Sequence, residues 1–354
     1  MSLADRLKAQ IRLSGPMTVA QYMSACLHDP EEGYYATRPR LGAEGDFVTA
    51  PLVSQMFGEL IGLWAGETWN RLGRPGRLIL AEVGPGDGTL MSDALRALRV
   101  LPQMLEAAEL WLVETSGPLR ERQAQALAGA ALAPRWAGSL AALPDDAPLV
   151  LIANEVLDCL PVRQFVRGER GWAERLVGLD EAGELAFGLA PRSLERGLPE
   201  ASLGALVEVS AAQEAFAAEL GRRLAGQGGA ALLIDYGRME PGCGDSLQAL
   251  KGHEKLGPLT TPGEADLTVH ADFPAVMAAA RAEGAEATIL SQREFLLRLG
   301  IAQRASALAQ ARPDQSDRLF RQLERLIGED QMGQLFKVAC LFGRGLQPPG
   351  FESQ

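Results

Sequence analysis

The stretch LILAEVGPGDGTLMSDALRAL, residues 78–98, decides how this chain folds. An apolar run from Leu78 to Leu80 leads to Glu82. Gly84, Pro85, Gly86, Asp87 and Gly88 follow, and an amphipathic helix starts near Thr89. A strand, a glycine turn and a helix start form the unit that holds a nucleotide-like cofactor at the carboxyl edge of a parallel sheet. Glycines turn the backbone tightly and admit a ligand because no Cβ intervenes. The spacing is G-x-G-x-G rather than the G-x-G-x-x-G of dinucleotide binders. Glu82 stands two positions before the first glycine, where it would repel a pyrophosphate. A carboxylate there suits a ligand that carries an ammonium group and no phosphate, as S-adenosyl-L-methionine does.

Strand–helix alternation continues outward from this unit. Strands are expected at Arg77–Val83, Glu109–Glu114, Arg135–Ala137, Leu149–Ala153, 231–236, 286–290 and 335–342, the last of them buried. Helices are expected at Val53–Leu72, Thr89–Leu98, Pro118–Leu127, Gln213–Leu224 and 273–283. Short connections between such elements imply a doubly wound, mostly parallel α/β sheet. Before it, Ala4–Leu13 reads as a short amphipathic helix, and Thr18 as the cap of a second helix running to Leu27. The organisation expected is an N-terminal helical and lid region over 1–75, a main domain over 76–344 and a tail over 345–354. The main domain carries a β-rich insertion near 162–206 and a charged helical one near 292–330, the latter read as a solvated face.

With 354 residues, 47% hydrophobic and 22% charged, the chain has an ordinary globular balance. A net charge of −11 argues against sequence-independent nucleic-acid binding, which needs basic patches, and is compatible with a basic partner. Cys26, Cys159, Cys243 and Cys340 lie far apart and read as reduced core thiols of a cytoplasmic protein. His28, His253 and His270 have no metal-ligand spacing, so no metal site is expected. No membrane span is visible either.

Glu114 closes the second expected strand, 26 positions after Gly88. A carboxylate at that place accepts hydrogen bonds from ribose hydroxyls; alone, a strand-end glutamate is more often solvated. Asn154, Glu155 and Asp158 follow the fourth strand, at the crevice where ligands sit. On a helical turn Glu155 and Asp158 share a face, and two carboxylates can grip a guanidinium or take its proton. The competing reading has one capping a helix and the other solvated. Asp235, Tyr236 and Gly237 end the fifth strand as pocket lining with no assigned role. Asp46 and Phe47, in a loop rich in Gly, Pro and aromatics, are candidates for a water-excluding lid or for simple packing.

The segments DPEEGYYATR, GDFVTAPLVSQMFGELIGLW, EVGPGDGTL, ANEVLDCLPVRQF, LLIDYG, PGEADLTVHADF, QREFLLRLGI and MGQLFKVACL run in order through nearly the whole chain. In them the chain resembles the MidA-type class I methyltransferases, a family that includes a mitochondrial complex I assembly factor acting on a protein arginine. The resemblance implies a Rossmann-like sheet, parallel with an antiparallel last strand, and family-specific helical insertions. It implies S-adenosyl-L-methionine as cofactor, with Glu82, Gly84, Pro85, Gly86, Gly88, Glu114 and Asn154 around it. It also matches Asn154 and Glu155 to the Asn-Glu pair after the fourth strand, and Asp46 and Phe47 to the N-terminal motif on the substrate side; Glu155, with Asp158 as helper, is expected to orient and polarise the methyl acceptor. Asp87 stands where the family commonly has arginine. A basic, arginine-containing protein is the substrate so implied, in a bacterial cytoplasmic setting, with no nucleic acid and no membrane; a homodimer is compatible. The alternatives are a small-molecule methyltransferase and a cofactor-binding assembly chaperone without turnover. A nicotinamide-dependent oxidoreductase is disfavoured by the glycine spacing and by Glu82.

Overall fold

The computed structural model describes residues 1–37, 49–191 and 197–352. The chain forms two compact units. The larger comprises 48–156, 215–239 and 273–354, and the smaller 1–47, 157–214 and 240–272.

Seven strands make the main run of the larger unit's sheet: β1 Leu78–Val83, β2 Ala108–Val113, β3 Arg135–Ala137, β4 Leu149–Asn154, β5 Gly229–Arg238, β6 Glu286–Ser291 and β7 Phe336–Phe342. Their spatial order is β3-β2-β1-β4-β5-β7-β6. β3, β2, β1, β4 and β5 are mutually parallel, whereas β7 runs antiparallel to both β5 and β6. The strand order reverses between β1 and β4, which opens a crevice at their carboxyl ends. Every residue of β1 is buried, and so are Leu149–Ala153 of β4. Such unbroken apolar runs are what a parallel sheet covered on both faces requires. In β7, Val338 to Leu341 are fully buried, as the sequence led us to expect.

One face of this sheet is covered by α1 Gln55–Arg71 and α2 Thr89–Leu98. The two helices approach closely at a glycine. A Cβ added at Gly62 would fall 2.5 Å from the Ala94 carbonyl oxygen, in backbone that cannot swing aside. Gly62→Val is therefore expected to destabilise the protein by about 3 kcal/mol, as overpacking does. A melting temperature lowered by several degrees checks this, and an unchanged one would contradict the packing described. The residues 292–330 are helical but are more than a solvated face. Phe295, Leu296, Ile301, Ala305 and Leu326 enter the core of the larger unit. Arg304, in the helix Ile301–Ala311, reaches the buried Glu59 of α1 at 2.9 Å, and Arg96 of α2 reaches the same carboxylate at 3.1 Å. The charges there serve two purposes, solvation outside and a buried anchor inside.

In the smaller unit, Leu3–Ser14 and Val19–His28 are helices, and Thr18 caps the second in a reciprocal box with Gln21. The strands Arg163–Gly168, Gly171–Leu179 and Leu185–Leu189 form the antiparallel insertion read from the alternation over 162–190. Two partners of that sheet were not foreseen. Met17–Thr18 pairs with Gly171–Leu179, and Leu206–Val209 with Arg163–Gly168. A three-stranded sheet of Gln248–Lys251, Glu254–Leu256 and Asp266–Thr268 was missed as well. Its strands are three or four residues long, too short to show an alternation. All four cysteines are free, but only Cys26 and Cys340 are buried; Cys243 is exposed and Cys159 half-buried, so the expectation of four core thiols is corrected. Cys159 lies at the margin of the smaller unit's core, packed against it but not enclosed, whereas Cys243 sits in the polar stretch 239–246.

Candidate functional site

The carboxyl ends of β1, β2 and β4 carry the candidate cofactor residues. After β1 the chain turns through Gly84, Gly86 and Gly88, whose φ angles are 62°, 55° and 88°. These left-handed conformations explain glycine at alternate positions. The turn is closed by the Gly88 N–H donating to the Pro85 carbonyl at 2.9 Å, and it is joined to β2 by the Gly84 N–H donating to the Val113 carbonyl at 3.1 Å. Asp87, one residue before the N-cap Gly88, accepts from the Thr89 N–H at 2.9 Å in a local turn that leads into α2. A Cβ at Gly84 would lie 3.0 Å from a methyl of Val156, so the turn packs directly against the loop after β4.

Glu82 is 2% exposed, and its Oε2 has no hydrogen-bond partner among the described residues. Burial, and next the charge of Asp87, push its carboxyl up to about 8. Glu82 pairs with Ile152 and Val83 with Ala153 in parallel register. Alternation along the strand then places Asn154 on the same face as Ile152 and Glu82. The buried Asn154 Oδ1 also lacks a partner among the described residues. Two buried acceptors on one face, neither supplied with a donor, fit an ammonium group. They do not fit a phosphate, which two oxygen acceptors would repel.

Glu114 follows β2. Its Oε1 accepts from the backbone N–H groups of Thr115 and Ser116, both at 2.7 Å. Its carbonyl accepts from the Arg120 guanidinium, and its N–H donates to the Ala137 carbonyl at 3.0 Å. The carboxylate is thereby fixed before any ligand arrives, with Oε2 left for hydroxyl donors. Sequence reasoning did not foresee who helps to hold it. Gln123, fully buried in α3 Gly117–Ala126, donates to the Gly86 carbonyl at 2.9 Å and to Glu114 Oε2 at 3.4 Å. That helix has no apolar stripe, so nothing in its pattern marks one glutamine as internal; only its fixed spacing from Glu114 offered a clue.

Beyond β4 the structure departs from expectation. Residues 155–160 form bends and turns, not a helical turn, so the shared helical face expected for Glu155 and Asp158 does not exist. The physical reason is local: Glu155 has φ 54°, a left-handed conformation that no α-helix continues. Its N–H extends the sheet by donating to the Ile234 carbonyl at 2.8 Å, and its Oε1 accepts from Asn154 Nδ2 at 2.9 Å. Asp158 belongs to the smaller unit and is buried there, its carbonyl accepting from the Val269 N–H at 2.9 Å. The phenol of Tyr35 in that unit is held far up by burial and next by the negative charge of Asp266. Asp235 is fully buried and bonds its own neighbour's N–H, that of Tyr236, at 2.8 Å. Asp46 and Phe47 lie outside the described residues. Among the described residues no cluster of His, Cys, Asp or Glu could hold a metal ion, and no helix is long and apolar enough to cross a membrane.

The strand order and the three acidic or amide groups at the switch point define a class I methyltransferase fold. Residues 60–291 match a family described as "Putative S-adenosyl-L-methionine-dependent methyltransferase". The chain belongs to that family of S-adenosyl-L-methionine-dependent methyltransferases. It is 34% identical to the mitochondrial protein arginine methyltransferase NDUFAF7 of Danio rerio over 95% of this chain and 86% of that protein. Against the Homo sapiens protein of the same name it is 33% identical over 95% of this chain and 82% of that one. A Burkholderia thailandensis crystal structure bound to S-adenosyl-homocysteine superposes with a TM-score of 0.88 at 31% identity, covering 99% of this chain and 94% of that one. S-adenosyl-L-methionine is the cofactor, and the residues present fit it. Glu82 and Asn154 suit its ammonium, Glu114 its ribose, and the bare backbone of Gly84 and Gly86 its close approach.

Proposed function

We propose that the protein methylates an arginine side chain of a protein substrate, in the setting of respiratory complex I assembly that the family resemblance implies. The observation that carries this reading is Glu155, a half-buried carboxylate in a left-handed conformation directly beside the cofactor residues. Strain of that kind persists where surrounding structure imposes it, typically at functional sites. The names of the curated relatives support arginine as acceptor, and the net charge of −11 favours a basic partner.

The cofactor supplies, when bound, a methyl group already activated on a sulfonium. The chain's own residues then have three tasks. Glu82, Asn154 and Glu114 bind and orient, which converts the transfer into a proximity problem. Glu155 accepts a hydrogen bond from one guanidinium N–H, leaving electron density on the attacking nitrogen. When the methyl–sulfonium bond breaks and S-adenosyl-homocysteine is left behind, the proton displaced from the newly methylated nitrogen would pass to this carboxylate. Asn154 Nδ2 holds Glu155 Oε1 in place, so that a rotamer search is avoided. A cytoplasmic site of action is part of the same proposal.

The test is incubation of the purified protein with isotopically labelled cofactor, basic arginine-containing proteins and a pool of small metabolites. Label recovered as methylarginine in protein supports the reading. Label confined to metabolites would replace it with small-molecule methylation, and cofactor binding without any transfer would replace it with a chaperone.

A further inference from the structure

We propose that Gln123 is a positioning residue for the cofactor's ribose, acting by locking Glu114 to the glycine turn. The inference rests on the assignment of Glu114 to the ribose, and the test below separates the two. Gln123 is fully buried in a helix otherwise rich in exposed polar residues. Its amide is oriented unambiguously, because the Trp136 indole N–H donates to its Oε1 at 2.9 Å. That leaves both amide hydrogens pointing elsewhere. Nε2 donates to the Gly86 carbonyl at 2.9 Å and makes the longer 3.4 Å contact to Glu114 Oε2.

One side chain thus ties three strand ends together: the turn after β1, the carboxylate after β2, and β3 through Trp136. Arg120, one helical turn earlier on α3, grips the Glu114 carbonyl from the same face. The long contact to Oε2 matters for the role. It steers the carboxylate without saturating it, so that oxygen can still receive a hydroxyl. Gly88 completes the arrangement: a Cβ there would sit 3.3 Å from the Gln123 Cα and from the Ala126 Cβ, so α3 rests directly on the turn.

The measurement is a comparison of two ligands by titration: S-adenosyl-homocysteine and its analogue lacking both ribose hydroxyls. In the unaltered protein the hydroxyls are expected to strengthen binding about 100-fold, since a site built around them rejects the analogue. In Gln123→Leu that ratio is expected to shrink to about 10, the signature of coupling between residue and ligand group. Trp136→Phe, which keeps the amide but releases it, is expected to lower the ratio by about threefold. If both ligands weaken equally in Gln123→Leu, the residue is merely structural and the inference is overturned. Should that variant fail to fold, an unchanged ratio in Trp136→Phe overturns it as well. In Glu114→Ala the ratio should nearly vanish. A ratio that survives there refutes the ribose assignment itself, and one that vanishes there but stays at full value in Gln123→Leu refutes the role of Gln123 alone.

Discussion

Glu82→Gln is expected to weaken S-adenosyl-L-methionine binding by at least about 100-fold while making the ligand-free protein more stable at alkaline pH. Both effects come from one buried carboxyl whose pKa is pushed up to about 8 by burial and by Asp87. In the unfolded chain it titrates near 4.5. Between those values the folded state holds a proton that the unfolded state has lost, so stability falls as pH rises from about 4.5 to about 8 and then levels off. At pH 8.5 the ionised carboxylate costs about 5 kcal/mol that glutamine does not. The variant should therefore melt several degrees higher at that pH and nearly equally at pH 5. Binding runs the opposite way. An ammonium wants the carboxylate ionised, so affinity should rise up to about tenfold per unit from pH 6 towards 7.5. It flattens near 8, where the ligand's own ammonium begins to deprotonate. At pH 7 binding should release close to one proton, visible by calorimetry in two buffers of different ionisation heat. Equal heats in the two buffers, or a variant that binds normally, would sink the assignment of Glu82 to the ammonium.

The second large effect is expected at Glu155. Glu155→Gln should lower methyl transfer by about a thousandfold, within the range of a lost general base, while cofactor affinity changes by less than about threefold. Glutamine keeps the size of the side chain and its tie to Asn154 while removing the proton acceptor. Glu155→Gly separates catalysis from backbone strain. At φ 54° glycine pays no steric penalty, so this variant should gain roughly 1 kcal/mol of stability as it loses turnover. Single-turnover rates with saturating cofactor, beside melting curves, check both. Turnover above a third of the original in Glu155→Gln would remove the carboxylate from the chemistry.

The centre of the larger sheet was legible because β1, β4 and β5 contain long unbroken apolar runs followed by polar residues or glycine. Leu78–Val83 and the helix after it stand within one residue of their expected bounds. Where periodicity was weak, the reading failed. Gln248–Lys251 and its neighbours are too short to alternate, and Met17–Thr18 joins a strand about 160 residues away by pairing that no local pattern announces. At the candidate site, residue types pointed to Glu82, Glu114 and Asn154, since a carboxylate or amide at a strand end is visible in one dimension, and the structure places all three at the carboxyl ends of neighbouring strands. The turn at Glu155 was not visible, because a left-handed glutamate is imposed by its surroundings and not by its own preference. Gln123 was hidden for a related reason: its importance lies in whom it touches, and nothing about a glutamine in a polar helix says so.

The insertion of β7 between β5 and β6 also sets a schedule for biosynthesis. β5 ends at Arg238 and its antiparallel neighbour ends at Phe342. A ribosome needs roughly 5–20 s to add the intervening hundred or so residues. Throughout that interval one edge of the nascent sheet has no partner, the condition under which strands recruit foreign chains. Trp64, early in the chain, meanwhile waits for the carbonyl of Pro349, which its indole bonds at 3.2 Å. The larger unit's sheet is therefore completed only once Phe336–Phe342 has been made, and until then the edge of β5 that it will cover stays open to foreign strands.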